Sequence, residues 1–145
     1  MKANLRLVDV AMGNVARELF EHIEPYVDNA KKAGYRVPRK IKIQHIPLPD
    51  DRLGDCWMNR IRVCSTKDHD KKYTALHEFI HVVQFYNTDK FGVLRTNEEW
   101  HGWSFTKIGE ELQMPKRVYT EEYVSELEAF IYAFFIMALF VVFAI

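Results

Sequence analysis

The chain has 145 residues, of which 48% are apolar, and this length and composition fit one globular domain with its own hydrophobic core. Twenty basic and twenty acidic side chains give a formal net charge of zero, which excludes a global attraction for nucleic acid or acidic substrates and leaves only a local basic patch open. The two cysteines, Cys56 and Cys64, are too few for a disulfide framework or a four-cysteine zinc site.

The first part of the chain is predicted to form an amphipathic helix over residues 5–32. Apolar side chains recur there at positions i, i+3, i+4 and i+7, namely Ala16, Leu19, Phe20 and Ile23. Pro25 is predicted to kink or split this helix. Polar residues at positions 4, 6 and 9 interrupt the apolar start of the chain, so no secretory signal is predicted and a cytoplasmic location is expected.

Two strands separated by a turn are predicted in the middle of the chain. The first contains Ile41 and Ile43 and stops before Pro47. Residues 49–55 follow as the turn. Polar and apolar side chains alternate over residues 60–64, which predicts a strand with one face toward the core, and an edge position in the sheet is considered for it.

The next helical pattern carries a motif with a chemical meaning. After the polar residues 65–72, apolar side chains again follow the helical spacing. Within this helix His77, Glu78 and His81 form the motif HExxH, and histidines four residues apart project from one face, where both can bind one metal ion. Zinc fits this geometry best. Glu78 lies about 100° round the helix from His77, which suits a general base that contacts the attacking water.

A catalytic zinc ion needs a third protein ligand, and the sequence offers two sources. The favoured candidate is His101, which precedes a third predicted helix over residues 103–113. The alternative is a glutamate on a later helix, Glu126 or Glu128. The other histidines share no spacing with the motif and are interpreted as ordinary surface or core residues; they are His22, His45 and His69.

Aromatic residues around the third candidate ligand are possible elements of a substrate cleft. Residues 87–99 are predicted to form a loop before the third helix. Trp57, Trp100 and Trp103 could line a cleft, although core or rim positions are the commoner role of tryptophan in a small domain. Trp100 and Trp103 are favoured for the cleft because they flank His101.

The sequence HEFIH at residues 77–81, followed by HGWSF at residues 101–105, resembles the SprT-like or Spartan family of zinc metallopeptidases. The stretch LGDCWMNRIRVCST, which leads to YTALHEFIH, resembles the strand hairpin before the family's active-site helix. The resemblance implies an α+β, zincin-like fold with an N-terminal helix, a short antiparallel sheet, the HExxH helix and following helices. It also implies that His77, His81 and His101 bind Zn²⁺ and that Glu78 is the catalytic glutamate.

The resemblance further implies a protein or peptide substrate, which would pair as an extended strand along residues 60–64. Many members act on DNA-bound proteins, so DNA-associated protein substrates are an expectation that rests on the resemblance alone. The chain departs from the family in its long gap between His81 and His101 and in having too few cysteines for a cysteine-rich zinc ribbon. HEFIHVVQ also resembles a looser group of HExxH proteins, in which a glutamate of residues 125–129 would replace His101.

A metallopeptidase domain is predicted over residues 1–128, and an apolar segment over residues 129–145. That segment has no charged residue and no helix breaker, and as a helix it would be about 26 Å long. It is interpreted either as a buried core helix or as a short membrane anchor, with an acidic flank that opposes the anchor. The predicted function is zinc-dependent peptide-bond hydrolysis with Glu78 as general base. The alternatives are a catalytically silent, metal-stabilised binding module and a membrane-tethered peptidase with a glutamate as third ligand.

Overall fold

Residues 13–120 are described by the computed structural model of the protein, and they form an α+β fold. Its long elements are helix α1 (Asn14–Lys32), strands β1 (Lys42–Ile46), β2 (Gly54–Trp57) and β3 (Arg60–Cys64), and helix α2 (Lys71–Tyr86). Four shorter helices follow: α3 (Thr88–Phe91), α4 (Asn97–Trp100), α5 (Trp103–Glu111) and α6 (Lys116–Tyr119). This order confirms the predicted α+β class with an N-terminal helix, a small sheet and following helices.

Helix α1 is amphipathic, as the apolar spacing predicted. Its buried side chains lie on one stripe and include Ala16, Leu19, Phe20 and Ile23. The helix continues through Pro25, so the predicted split was wrong. Pro25 lies on the exposed face, where water can satisfy the carbonyl group that loses its helical hydrogen bond.

The three strands form a mixed sheet in the order β1-β3-β2. Strand β3 is parallel to β1 and antiparallel to β2, so the prediction of an antiparallel sheet was wrong, and so was the edge position considered for residues 60–64. The alternation in β3 reports only which face is buried, with Ile61 and Val63 fully inside, and it carries no information on the number of neighbouring strands. The edge strands of the described sheet are β1 and β2, and β2 begins inside the predicted turn at residues 49–55.

Helix α2 crosses the core between the sheet, α1 and α5. Asp70 caps its N-terminus by accepting a hydrogen bond from the backbone N–H of Tyr73 at 3.0 Å. Strand β2 lies directly against the helix at Gly54, where a Cβ atom would be 2.5 Å from Thr74 Cγ2 and 3.4 Å from Glu78 Cγ. Only glycine permits this approach, and it brings the edge strand beside the HExxH motif.

The segment after α2 returns to the motif through short helices. The predicted loop at residues 87–99 contains α3 and most of α4. Helix α5 matches the predicted third helix, and its inward side chains Phe105 and Ile108 are fully buried. Within residues 13–120, no helix is long and apolar enough to cross a membrane. The apolar segment at residues 129–145 lies outside the described residues, as do Glu126 and Glu128.

Candidate metal centre

Three histidines meet at one point between α2 and the end of α4. The Nε2 atom of His77 lies 3.3 Å from that of His81 and 3.2 Å from that of His101, and the last two are 3.2 Å apart. His77 and His81 are one turn apart on α2, and His101 caps the C-terminus of α4. The three residues predicted as ligands are therefore close together, and they could bind a metal ion.

The size of this triangle fits a small four-coordinate ion. Two nitrogen atoms bound to zinc at 2.0–2.1 Å in tetrahedral geometry are about 3.3 Å apart. The observed Nε2 separations of 3.2–3.3 Å match that edge. Three imidazoles would leave the fourth position of a tetrahedral ion open, which is the ligand count of a catalytic site.

A hydrogen bond from His81 to a buried glutamine fixes the ring of His81. Gln84 donates its amide hydrogens to the carbonyl of Trp100 and to Ser104 Oγ, both at 2.9 Å. Its Oε1 atom is therefore the acceptor, 2.7 Å from His81 Nδ1. His81 carries its proton on Nδ1, and the Nε2 lone pair points to the centre of the triangle.

His101 is oriented in the same way by the backbone of α4. Its Nδ1 atom lies 2.8 Å from the carbonyl oxygen of Asn97, and a carbonyl can only accept, so Nδ1 carries the proton. The turn is stabilised by Thr96, whose side chain accepts a hydrogen bond from the backbone N–H of Glu99. Gly102 follows in a close passage, where a Cβ atom would be 3.1 Å from the carbonyl oxygen of Glu98. This close contact explains why glycine, which has no Cβ atom, is favoured at position 102 in the HGxxF sequence.

His77 is held by packing instead of by a hydrogen bond. Its ring centroid is 4.9 Å from that of Phe105, and its buried Nδ1 atom has no hydrogen-bond partner within residues 13–120. Burial, together with any positive charge on His81 and His101, holds the pKa of His77 well below its ordinary value. Burial also lowers the pKa of His81 to about 4, although the Gln84 hydrogen bond acts in the opposite direction. Both rings are therefore neutral at pH 7, which is the form that binds metals.

Glu78 stands beside the triangle and not in it. Its carboxylate Oε1 is 4.0 Å from His77 Nε2, and the residue is 7% exposed. Burial, with a smaller contribution from the negative charge of Asp55, raises its pKa to about 8. A carboxylate so placed can accept and return a proton near neutral pH.

A cavity of about 520 Å³ opens onto these residues, a volume within the usual range for ligand sites. Its walls come from β2 and the turn after it, from one face of α2, and from α4. Trp57 and Trp100 line the cavity, as considered from the sequence, but Trp103 does not. Trp103 is 65% exposed, and its ring lies against that of Phe91.

Several residues that contact the histidines or line the cavity were absent from the sequence prediction. Gln84 lies three residues after His81 and therefore on a neighbouring face of the same helix, which was the signal that could have revealed it. Asp55 and Met58, which line the cavity, fell within or next to a predicted turn and gave no such signal. His69 is structural, as interpreted, because its Nδ1 and Nε2 atoms bind Thr74 Oγ1 and the carbonyl of Cys64.

Comparison of the chain with protein-family models, curated proteins and solved structures found no match.

Proposed function

We propose that this protein is a zinc-dependent metallopeptidase of the SprT-like type, with a zincin-like arrangement of its sheet and HExxH helix. The observation that carries the proposal is the triangle of three Nε2 atoms, 3.2–3.3 Å apart, with the buried carboxylate of Glu78 beside it. Three imidazole donors favour zinc over magnesium or calcium, which prefer oxygen ligands. The open cavity gives a substrate access to this point.

His77, His81 and His101 would hold the ion. When bound, zinc polarises the scissile carbonyl and lowers the pKa of a water molecule to about 7. Glu78 accepts the proton of the attacking water and returns it to the leaving amine nitrogen, so that the peptide and one water give a carboxylate and an amine. Gln84 and the Asn97 carbonyl keep two of the three rings in the orientation that this role needs.

A protein or peptide substrate is favoured by the position of strand β2. It forms one edge of the sheet within residues 13–120 and runs past Glu78 at the mouth of the cavity. An extended peptide can add to such an edge by backbone hydrogen bonds, which hold its peptide groups without regard to sequence. In this proposal β2 is the strand that pairs with the extended substrate, a role that was predicted for residues 60–64.

Elemental analysis of the purified full chain tests the metal, with a casein-cleavage assay as the test of activity. We expect about one zinc per chain in the wild type and in Glu78→Gln, and loss of zinc in His81→Ala and His101→Ala. A Glu126→Ala/Glu128→Ala double variant tests the alternative third ligand, and we expect it to keep its zinc. Glu78→Gln should lose activity by a factor of about 10²–10⁴.

The same variants separate the proposed enzyme from a metal-stabilised binding module. A wild-type protein that contains zinc but cleaves no unfolded protein, with no difference from Glu78→Gln, would support the binding module. A wild-type protein that binds no zinc even after supplementation would overturn the proposed function altogether.

A further inference from the structure

Large apolar side chains line the cavity on one side of the three histidines. We call Trp57, Met58 and Phe85 the apolar rim; all three line the cavity. Trp57 is 65% exposed and Met58 is 44% exposed. The rings of Trp57 and Phe85 are 6.2 Å apart, so the rim joins the edge strand to α2. Exposed apolar surface inside a concave site is typical of ligand recognition.

The backbone at Met58 supports a functional reason for this rim. Met58 and Asn59 form the two-residue turn between β2 and β3, and Met58 has a φ of 55°. Glycine and asparagine adopt this left-handed conformation easily, whereas methionine does so at a cost. Hydrogen bonds from Asn59 Nδ2 to the Lys40 carbonyl and from the Lys42 N–H to the Asn59 carbonyl hold the turn. The fold thus supports an unfavourable residue whose side chain lies in the cavity.

The rim lies at a defined distance from the metal ligands. His77, His81 and Phe85 follow each other at intervals of four residues on one face of α2, so Phe85 is about 6 Å farther along the helix than His81. An extended peptide advances about 3.3 Å per residue. A side chain in contact with the rim would therefore belong to a residue one or two positions from the bond at the metal centre.

Arginine and aspartate side chains lie beside the rim and pair with one another. Arg52 and Asp55 pair with each other at 3.4 Å, and Asp55 is also paired with Arg62. One carboxylate thus pairs with two guanidinium groups, and the side chain of Arg52 remains 54% exposed. The surface of the rim itself is apolar, because Trp57, Met58 and Phe85 form it.

We propose that Trp57, Met58 and Phe85 form a specificity subsite for a large apolar side chain of the substrate, such as Phe, Leu or Met. The subsite would make the enzyme prefer protein segments that carry such a residue one or two positions from the cleaved bond. This inference rests on the proposed peptidase function.

Cleavage of a randomised peptide mixture by the zinc-loaded full chain tests the subsite, with cleavage positions read by mass spectrometry. The wild type should enrich large apolar residues at one fixed position. Met58→Gly and Phe85→Ser should each lower kcat/KM for a Phe-containing peptide about tenfold, with little change for the matched Ser-containing peptide. Met58→Gly should not lower the melting temperature, because it removes the backbone strain. Val93→Ser, an exposed apolar position outside the cavity, is the control.

Two different failures are distinguishable in this experiment. Cleavage without an apolar preference, or a preference unchanged in both variants, would overturn the subsite and leave the peptidase function intact. Absence of cleavage in the zinc-loaded wild type would overturn both. Binding to the Glu78→Gln variant gives a readout without turnover: the Phe-containing peptide should bind about tenfold tighter than the Ser-containing one, and Met58→Gly should remove that difference.

Discussion

Gln84 Oε1 accepts a hydrogen bond of 2.7 Å from His81 Nδ1, while the amide nitrogen of the same side chain reaches the carbonyl of Trp100 and the hydroxyl of Ser104. One fully buried side chain thus connects a candidate metal ligand on α2 to the segment that carries a third candidate ligand, His101. The connection fixes the protonated nitrogen of His81 and the distance between the two elements. It orients the site before any metal arrives.

We therefore predict that Gln84→Ala and Gln84→Glu weaken zinc binding by a factor of about 10–100. Alanine removes all three hydrogen bonds. Glutamate retains an acceptor for His81 but loses the two donated bonds. Competition with a chromophoric chelator would measure the affinities, and ¹⁵N NMR of the metal-free protein would show whether His81 keeps its proton on Nδ1. Gln44→Ala on β1 is the control, and an affinity in Gln84→Ala equal to that of the control would contradict the positioning role.

Zinc should also stabilise the folded chain, because the complete triangle exists only in the folded state. At a free zinc concentration 1,000 times the dissociation constant, linkage predicts about 4 kcal/mol of added stability. Thermal unfolding with zinc and with a chelator would measure the shift. We expect a higher melting temperature with zinc in the wild type and in Glu78→Gln. His101→Ala should lose most of the shift, and a shift of full size in that variant would exclude His101 as a ligand.

The sequence predicted those parts of the site that depend on local geometry. His77, Glu78 and His81 follow from a four-residue spacing on a helix. The residue pattern alone did not predict strand β2, because Gly54 and Asp55 are typical turn residues; only the family resemblance implied a strand hairpin there. The position of β2 is fixed by contact with α2 instead of by its own composition. The central position of β3 was also missed. The alternation of polar and apolar side chains in a strand depends on which face is buried, and it does not depend on how many strands pair with it.

The contact between Gly54 and α2 leads to a further prediction. In Gly54→Ala the new Cβ atom would lie 2.5 Å from Thr74 Cγ2 and 3.0 Å from the Arg62 carbonyl. Strand β2 must then move away from Glu78, at a cost of about 1–3 kcal/mol in the free energy of unfolding. The urea concentration at the midpoint of unfolding and the rate of casein cleavage should both be reduced.

A second change tests whether this steric contact is the cause. Thr74→Ser removes the methyl group and keeps the hydroxyl that hydrogen-bonds to the Asp70 carbonyl. The double variant Gly54→Ala/Thr74→Ser should be more stable than the sum of the two single changes predicts. Strict additivity would show that the strand does not lie on Thr74 as described.

Asp70 connects the stability of the HExxH helix to pH. Burial opposes its ionisation, but the Tyr73 N–H and the guanidinium of Arg117, 2.6 Å away, outweigh that effect and lower its pKa. A carboxyl group with a lowered pKa in the folded state adds stability above its unfolded pKa, near 3.9, and that stability is lost as the pH falls through the folded pKa.

Asp70→Ala should cost about 1 kcal/mol at pH 7 through loss of the helix cap, and Asp70→Asn should cost less because the amide oxygen can still cap. Urea unfolding should show the gap between wild type and Asp70→Asn closing below pH 4, whereas the exposed Asp68→Ser variant should show no gap at any pH. A gap that stayed constant from pH 7 to pH 2 would mean that the ionised carboxylate of Asp70 does not stabilise the helix.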